Sequence, residues 1–300
     1  MGQYGRQQPY KKIVVGVDGS EPSLHALRET LRFARNEGAE VFAISVVPPY
    51  EGDLRLFGVK NIKAMLREPC EKALAVTKKA AEEENVSVRT LCAEGVPHEE
   101  IIGFAESHGC DLIVVGTKGY TLEKVFLGSV ASKVVGESTV EVLAIPAEGR
   151  IGWSRILCAT DGSPWGEAAV SRGLSLARIY QGEVFVVSAT DLPQELCEEV
   201  PAFAEGLARE TRERVENAAA RLKSEDVRGQ CLLREGSAYK AILELASEKG
   251  VDIILMGSHG KTGFKRLLMG SVVERVLART PCPVLVVKGT ASHRKGSTLP

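Results

Sequence analysis

Short apolar runs alternate along this chain with longer segments in which apolar residues recur every three or four positions. The first run, 13–17, is almost unbroken in hydrophobicity, as expected of a parallel strand that is covered on both faces. Segment 24–34 then shows helical spacing, with Ser20 or Ser23 able to cap its start and Gly38 placed to end it. Single helices between strands imply right-handed crossovers and therefore a parallel sheet with helices on both faces.

The same reasoning along the chain predicts ten strands, five in each half. They are expected at 13–17, 41–47, 86–92, 112–115, 141–145, 155–159, 183–189, 228–233, 253–256 and 284–287. Further helices are expected over 71–84, 97–107 and 128–135, and from near Pro164, Pro201, Ser237 and Gly270. Segment 48–69 is predicted to be a polar insertion, a loop followed by the start of a helix. The fold class predicted is therefore α/β, with two open five-stranded parallel sheets.

Two segments of the chain occur twice. Residues 13–20 return as 156–163, each ending in Asp-Gly-Ser, and residues 111–119 return as 252–260. The offset is 143 residues at the aspartates and 141 at the first glycines, so whole domains are duplicated. We expect one domain over 1–147, a second over 153–288 and a flexible tail over 289–300.

Composition removes several classes of function. The chain is 44% hydrophobic and 26% charged, with a formal net charge of −1, so we expect neither nucleic acid nor membrane as a partner. The first twelve residues are polar and predict no secretory signal, and an intracellular, cytoplasmic protein is expected.

Seven cysteines are scattered without a C-x-x-C spacing. Cys158 and Cys282 lie within or near predicted strands, where cysteine acts as a small hydrophobe. We expect packing roles for the cysteines and no disulfide or metal site.

The most specific pattern is Gly257-Ser258-His259-Gly260, then nine residues, then Gly270-Ser271. It links the end of one predicted strand to the start of a helix, whose free N–H groups favour an anion. Glycine lets the backbone approach a ligand closely, and the Ser271 hydroxyl adds a donor. This arrangement suits a triphosphate. A Walker loop is excluded on spacing, since position 255, where its first glycine would fall, is leucine.

Together these patterns resemble the universal stress protein (UspA-type) family. The resemblance rests on G-x2-G-x9-G-S, on the aspartate after the first strand of each half, and on the ending 280–287, Thr-Pro-Cys-Pro-Val-Leu-Val-Val. It covers about residues 11–147 and 153–288 as a tandem pair, and implies a Rossmann-like, adenine nucleotide alpha hydrolase-like fold.

The resemblance implies an adenine-nucleotide site, ATP most readily, at the carboxyl ends of the strands. Asp161 would bind the ribose hydroxyls and the backbone of Ala189 the adenine edge. The phosphates would be lined by Gly257, Gly260, Gly270, Ser271 and Val272.

Simpler interpretations of these residues stay open. Asp161 could serve only as a turn and helix-cap residue. His259 has no evident second partner for acid–base work and is interpreted as a loop or phosphate-side residue. Lys261, Lys265 and Arg266 could neutralise phosphate or simply be exposed on a loop.

The first half departs from the family pattern. Only eight residues separate Gly119 from Gly128, which can displace the N–H groups of the loop by an ångström or more, within the ~3.8 Å Cα spacing. A working site and a degraded site kept for structure both fit. The candidate ligand-binding residues of this half are Asp18, Val46, Gly116, Gly119, Gly128, Ser129 and Val130.

The leading functional hypothesis is a stress-response protein that senses or stores ATP, AMP or another adenine nucleotide, with Mg²⁺ able to accompany it. No catalytic residue or protein-held metal is predicted; a slow ATP hydrolase and a ligand-free scaffold are the alternatives. The resemblance further implies an intrachain pseudo-dimer through the fifth strands, 141–145 and 284–287, and is compatible with a homodimer.

Overall fold

The computed structural model of the protein describes residues 9–49, 62–117, 127–190, 201–260 and 269–289. The chain divides into two compact units, 1–151 and 152–300. The expected flexible tail lies outside the described residues from position 290 onward. Within the described part, no helix has the length and apolar character needed to cross a bilayer.

The first unit is a parallel sheet in the order β3-β2-β1-β4-β5. Its described strands are Lys12–Gly16 (β1), Glu40–Val47 (β2), Val88–Glu94 (β3), Leu112–Gly116 (β4) and Glu141–Ile145 (β5). Its described helices are Glu21–Glu37 (α1), Ile62–Glu83 (α2), Pro97–Ser107 (α3) and Ser129–Glu137 (α4). A helix connects each strand to the next and brings the chain back to the end of the sheet where the strands begin. All five strands therefore run in the same direction.

The second unit repeats this topology, with its parallel strands in the order β10-β9-β6-β7-β8. Its described strands are Arg155–Ala159 (β6), Glu183–Thr190 (β7), Gly229–Glu235 (β8), Ile253–Gly257 (β9) and Val284–Val287 (β10). Its described helices are Pro164–Tyr180 (α5), Pro201–Ser224 (α6), Ala238–Lys249 (α7) and Ser271–Leu277 (α8).

Both sheets are buried beneath helices, which confirms the predicted fold class. The central strands β1, β4, β6 and β9 are almost wholly inaccessible, with most of their aliphatic side chains at 0–1% exposure. Helix α3 packs on α4 and helix α7 on α8. Burial on both faces explains why these strands are continuous apolar runs rather than alternating ones.

The Asp-Gly-Ser repeat has the same geometry in both units. Ser20 and Ser163 cap α1 and α5, each accepting a hydrogen bond from the backbone N–H three residues on. This settles the sequence ambiguity in favour of Ser20 over Ser23. The glycine before each cap has a left-handed backbone, with φ of 82° at Gly19 and 77° at Gly162. Glycine is required there because other residues rarely adopt that conformation.

Helix α2 begins earlier than predicted. The sequence suggested a strong helix from about residue 71, but the helix starts at Ile62 and contains Pro69 in its interior. The predicted start of a helix within segment 48–69 is thus part of one continuous helix, although an interior proline normally ends or kinks a helix. The helix nevertheless continues because its apolar face, including Ala73 and Leu74, is buried against β2 and β3.

The expectation that no cysteine forms a disulfide is wrong. Cys70 on α2 and Cys92 on β3 are joined, with their Cα atoms 6.1 Å apart. Their separation of 22 residues carries no recognisable spacing, because the pair forms only when α2 packs on β3. The free cysteines of the described residues are inert by comparison: burial raises the pKa of Cys231 to about 11 and also raises that of Cys158.

Candidate functional site

A cavity of about 430 Å³ opens at the carboxyl ends of the strands of the second unit. It lies where β6 and β9, neighbours in the sheet, send their connecting helices to opposite faces, the usual ligand position in such sheets. The sequence-predicted residues that line it are Asp161, Ala189, Gly257, Gly260, Gly270, Ser271 and Val272. These seven residues come from four separate segments of the chain.

Asp161 occupies the turn between β6 and α5. Its Oδ1 accepts a hydrogen bond from the backbone N–H of Ser163 at 2.9 Å. The turn role considered from the sequence is therefore present. The second oxygen, Oδ2, lies on the cavity side, where a Cβ built on Gly260 would come within 2.7 Å of it. Asp161 thus serves the turn with one oxygen while the other faces the glycine loop.

The two glycines of the loop are needed for different reasons. A Cβ on Gly257 would lie 2.5–2.6 Å from the backbone of Trp165, so this glycine lets β9 approach α5. A Cβ on Gly260 would instead meet the movable carboxylate of Asp161. Gly257 is therefore a packing requirement, whereas Gly260 keeps space open inside the cavity.

The loop returns to the sheet at Gly270, which precedes α8. The N–H of Gly270 donates to the carbonyl oxygen of Ser258 at 3.2 Å, closing the loop on itself. Ser271 and Val272 then form the first turn of α8, where backbone N–H groups have no partner within the helix. Lys261, Lys265 and Arg266 lie outside the described residues.

His259 also lines the cavity. Its Nδ1 lies 3.0 Å from the hydroxyl oxygen of Ser258, and its ring lies 5.5 Å from that of Trp165. Ser258 is its neighbour in the chain, whereas the contact with Trp165 could not be read from the sequence. They fix the imidazole beside the glycine loop.

Sequence reasoning missed the opposite wall of the cavity, formed by β7, α6 and α7. The missed lining residues include Thr190, Leu207, Thr211, Arg214, Ala238 and Ile242. A signal for Arg214 was available: Thr211, Ala218 and Leu222 form the buried stripe of α6, and position 214 falls on that stripe. An arginine on the buried face of an amphipathic helix marks a buried polar site.

The first unit has a cavity of similar size, about 410 Å³, at the equivalent place. It is lined by the predicted residues Asp18, Val46, Gly116, Gly128, Ser129 and Val130. Gly119 lies outside the described residues. The hydroxyl and the backbone N–H of Ser20 both donate to Oδ1 of Asp18, at 2.5 and 3.0 Å. The duplicated sequence therefore places a cavity with an aspartate and a Gly-Ser pair in each unit.

Neither cavity contains a protein-built metal centre in the part of the chain that the structure describes. No group of three or more histidine, cysteine, aspartate or glutamate side chains is placed there to hold a metal ion.

Comparison with known proteins agrees with the duplication. The universal stress protein family model matches residues 9–146 and again residues 152–288. A universal stress protein of Methanocaldococcus jannaschii is 43% identical over 144 residues, which cover 45% of this chain and 82% of the relative. A universal stress protein of Mycolicibacterium smegmatis is 26% identical over 298 residues, which cover 92% of this chain and 96% of the relative.

The fold is likewise that of a solved relative. The crystal structure of a universal stress protein from Archaeoglobus fulgidus matches with a TM-score of 0.69, covering 94% of this chain and 97% of that one at 22% identity. This likeness concerns the fold alone. Because the family model matches well over half of the chain, in two consecutive copies, the chain belongs to the universal stress protein family.

Proposed function

We propose that the second cavity binds an adenine nucleotide, ATP foremost, and that the protein acts as a nucleotide-dependent regulator in a stress response. The observation that carries this proposal is the convergence of one carboxylate, one glycine loop and one helix start on a single cavity of about 430 Å³. Ligand cavities of this size hold small molecules, and a nucleotide needs these three chemistries together.

Each part of the nucleotide has a matching group. Oδ2 of Asp161 can accept hydrogen bonds from the ribose hydroxyls. The backbone of Ala189, near the end of β7, is positioned for the base edge. The glycine loop and the first turn of α8 offer N–H groups to the phosphates. Mg²⁺ would come with ATP, bound mostly by phosphate and water.

A slow ATP hydrolase is the second candidate, favoured by the position of His259 in the cavity wall. An imidazole near a triphosphate can polarise or deprotonate water. Nδ1 of His259 lies 3.0 Å from the hydroxyl oxygen of Ser258. We propose binding as the main activity, with turnover well below the typical enzyme rate of about one per second.

We propose weaker nucleotide binding for the first cavity, whose glycine loop is one residue shorter. Pairing of the two fifth strands, assembly into a homodimer and a cytoplasmic location stay predictions.

Titration calorimetry with ATP, AMP and adenosine tests the proposed function, together with phosphate release measured with and without Mg²⁺. We expect saturable binding of ATP and a turnover below one per second. Absence of binding at millimolar ATP would support a scaffold, and fast phosphate release would support the hydrolase.

A further inference from the structure

One wall of the second cavity carries a largely buried cation that the family pattern does not account for. Arg214 projects from α6 into the cavity wall, and its side chain is only 12% exposed. The side chain of Arg214 reaches two structural elements. Its Nη1 donates to the hydroxyl of Ser188 at 3.3 Å, and its Cδ and Nε lie beside Gly162. A Cβ on Gly162 would lie 2.7 Å from Nε of Arg214, so the turn after Asp161 leaves room for this side chain.

The charge of Arg214 is only partly compensated. Its Nη2 lies 3.3 Å from Glu210, whose side chain is half exposed at 49%, so water weakens this pair. Nε is buried and has no hydrogen-bond acceptor among the described residues. A buried N–H without an acceptor destabilises the protein, and more so when it belongs to a charged group. An acceptor brought by a ligand would remove that destabilisation.

A second buried polar atom on the same wall also lacks a hydrogen-bond partner among the described residues. This atom is Oγ1 of Thr190. Thr190 and Ser188 are two residues apart on β7, so their side chains lie on the same face of the sheet. The hydroxyl of Thr190 therefore lies on the sheet face from which Ser188 holds Arg214.

The position of this pair identifies the part of the ligand it meets. Arg214 contacts the ends of β6 and β7, next to Gly162 and Ser188, whereas the glycine loop and α8 follow β9 on the other side of β6. The phosphate donors and Arg214 are thus on different sides of the cavity. In the proposed binding mode the nucleoside contacts Asp161 and Ala189, which line the same cavity as Arg214.

We propose that Arg214, assisted by Thr190, is a ligand-binding residue that donates a hydrogen bond from Nε to the nucleoside portion of the nucleotide. This inference rests on the proposed function of the second cavity. A ring nitrogen of the purine or a sugar oxygen supplies the missing acceptor. Arg214 thereby raises the affinity of the second cavity for the nucleoside, independently of the phosphates.

The first cavity lacks this pair. Helices α2 and α6 are each followed, two residues after their last residue, by a residue with a left-handed backbone, Asn85 and Asp226 respectively. Superposing these two positions aligns Arg214 with Ala73. Thr190 ends β7 as Val47 ends β2. The pair of Arg214 and Thr190 therefore belongs to the second unit alone and distinguishes the two cavities.

Tryptophan fluorescence can follow the second cavity selectively, because both tryptophans, Trp153 and Trp165, lie in the second unit. Trp165 contacts the glycine loop at Gly257. The full-length protein is titrated with adenosine, ATP and inorganic tripolyphosphate, and compared with Arg214→Met and Arg214→Lys. Arg212→Ala is the matched control, since Arg212 lies on the same helix and is exposed.

We expect Arg214→Met to weaken adenosine and ATP by the same factor, about 10- to 100-fold, as for loss of a charge-assisted hydrogen bond. Tripolyphosphate affinity should stay within about twofold. Arg214→Lys should fail to restore adenosine binding, because an ammonium group offers no N–H at the position of Nε. Arg212→Ala should bind as the unaltered protein does.

Three results would overturn the inference. Unchanged adenosine affinity in a folded Arg214→Met protein would leave Arg214 with a purely structural role, visible only as a lower melting temperature. Full adenosine affinity in Arg214→Lys would do the same if the methionine variant does not fold. Absence of ATP binding by the unaltered protein would overturn the proposed function as well, so the two failures are distinguishable.

Discussion

The two cavities have nearly the same volume, about 410 and 430 Å³, yet their walls differ on one side. In both, an aspartate follows the first strand of the unit and a Gly-Ser pair opens the fourth helix. On the wall formed by β7 and α6, however, the second cavity has Thr190 and Arg214, whose aligned positions in the first unit are the aliphatic Val47 and Ala73. The two units thus share the backbone geometry of the aspartate turn and the helix start, whereas the side chains of this one wall differ.

The covalent structure differs as well. In the first unit, α2 is tied to β3 by the disulfide between Cys70 and Cys92. The aligned positions in the second unit are Thr211 and Leu233, and Thr211 instead donates its hydroxyl to the carbonyl oxygen of Leu207. At the same position, α2 carries the cross-linked Cys70, whereas α6 carries Thr211, which lines the second cavity. This difference suggests a structural emphasis in the first unit and a binding emphasis in the second.

The largest expected effect comes from closing the second cavity with Gly260→Val. The added side chain would displace the carboxylate of Asp161, since even a Cβ would lie 2.7 Å from Oδ2. We expect ATP affinity to fall by on the order of 100-fold, the result of overpacking and of a lost ribose contact. Calorimetry measures the loss. Gly206→Ala is the control, because Gly206 has open space around its Cβ position. Retained affinity in Gly260→Val would place the ATP site elsewhere.

Replacing Asp161 and Asp18 by alanine, one at a time, compares the two cavities directly. We expect Asp161→Ala to lower ATP affinity about 10- to 100-fold, as a charged acceptor is lost, and Asp18→Ala to leave the tryptophan-detected affinity unchanged. Asp161→Asn, which keeps an acceptor for the N–H of Ser163, controls for damage to the turn. If Asp18→Ala abolishes ATP binding and Asp161→Ala does not, the roles of the two cavities are reversed.

Removing the disulfide should separate stability from binding. Cys92→Ser opens a link across 22 residues, and chain-entropy arguments predict a loss of about 3 kcal/mol in the free energy of unfolding of the first unit. ATP binding in the second cavity should be unaffected. Thermal unfolding with and without reductant, alongside an ATP titration, measures both. Alkylation of Cys70 and Cys92 in the unreduced, denatured protein would contradict the cross-link.

The smallest effect is expected for Thr190→Val, which gives the second cavity the residue found at the end of β2. Loss of one neutral hydrogen bond should weaken adenosine binding about fivefold, and Thr190→Ser should retain most of the affinity. Fluorescence titration resolves a change of this size. Identical affinities for the valine and serine variants would exclude the hydroxyl from ligand contact.

Much of the fold was predictable because its strands are buried on both faces. The bounds predicted for β5, β6, β10 and α3 coincide with those observed, since apolar runs bounded by polar residues and a first-turn proline are local signals. The start of α2 was not predictable in the same way. Its continuation through Pro69 depends on packing against β2 and β3, a tertiary contact that the local pattern of residues 62–71 does not reveal.

The candidate site divides along the same line. The turn at Asp161 and the glycines of the loop carry local sequence patterns, and the structure brings them together in one cavity. Arg214 carries only the weaker signal of an arginine on the buried stripe of α6, and the disulfide of Cys70 with Cys92 carries none, because each depends on which face of a helix meets which strand. The sequence pattern that resembles the family marks the glycine loop and the start of α8, whereas Arg214 and Thr190 lie outside that pattern.

A crystal structure of the full-length protein grown with millimolar ATP and Mg²⁺ tests the central claim most directly. The account predicts a nucleotide in the second cavity, with its phosphates against residues 257–260 and 270–272 and its ribose on the carboxylate of Asp161. An empty second cavity in such a crystal, or a nucleotide bound only in the first, would contradict it.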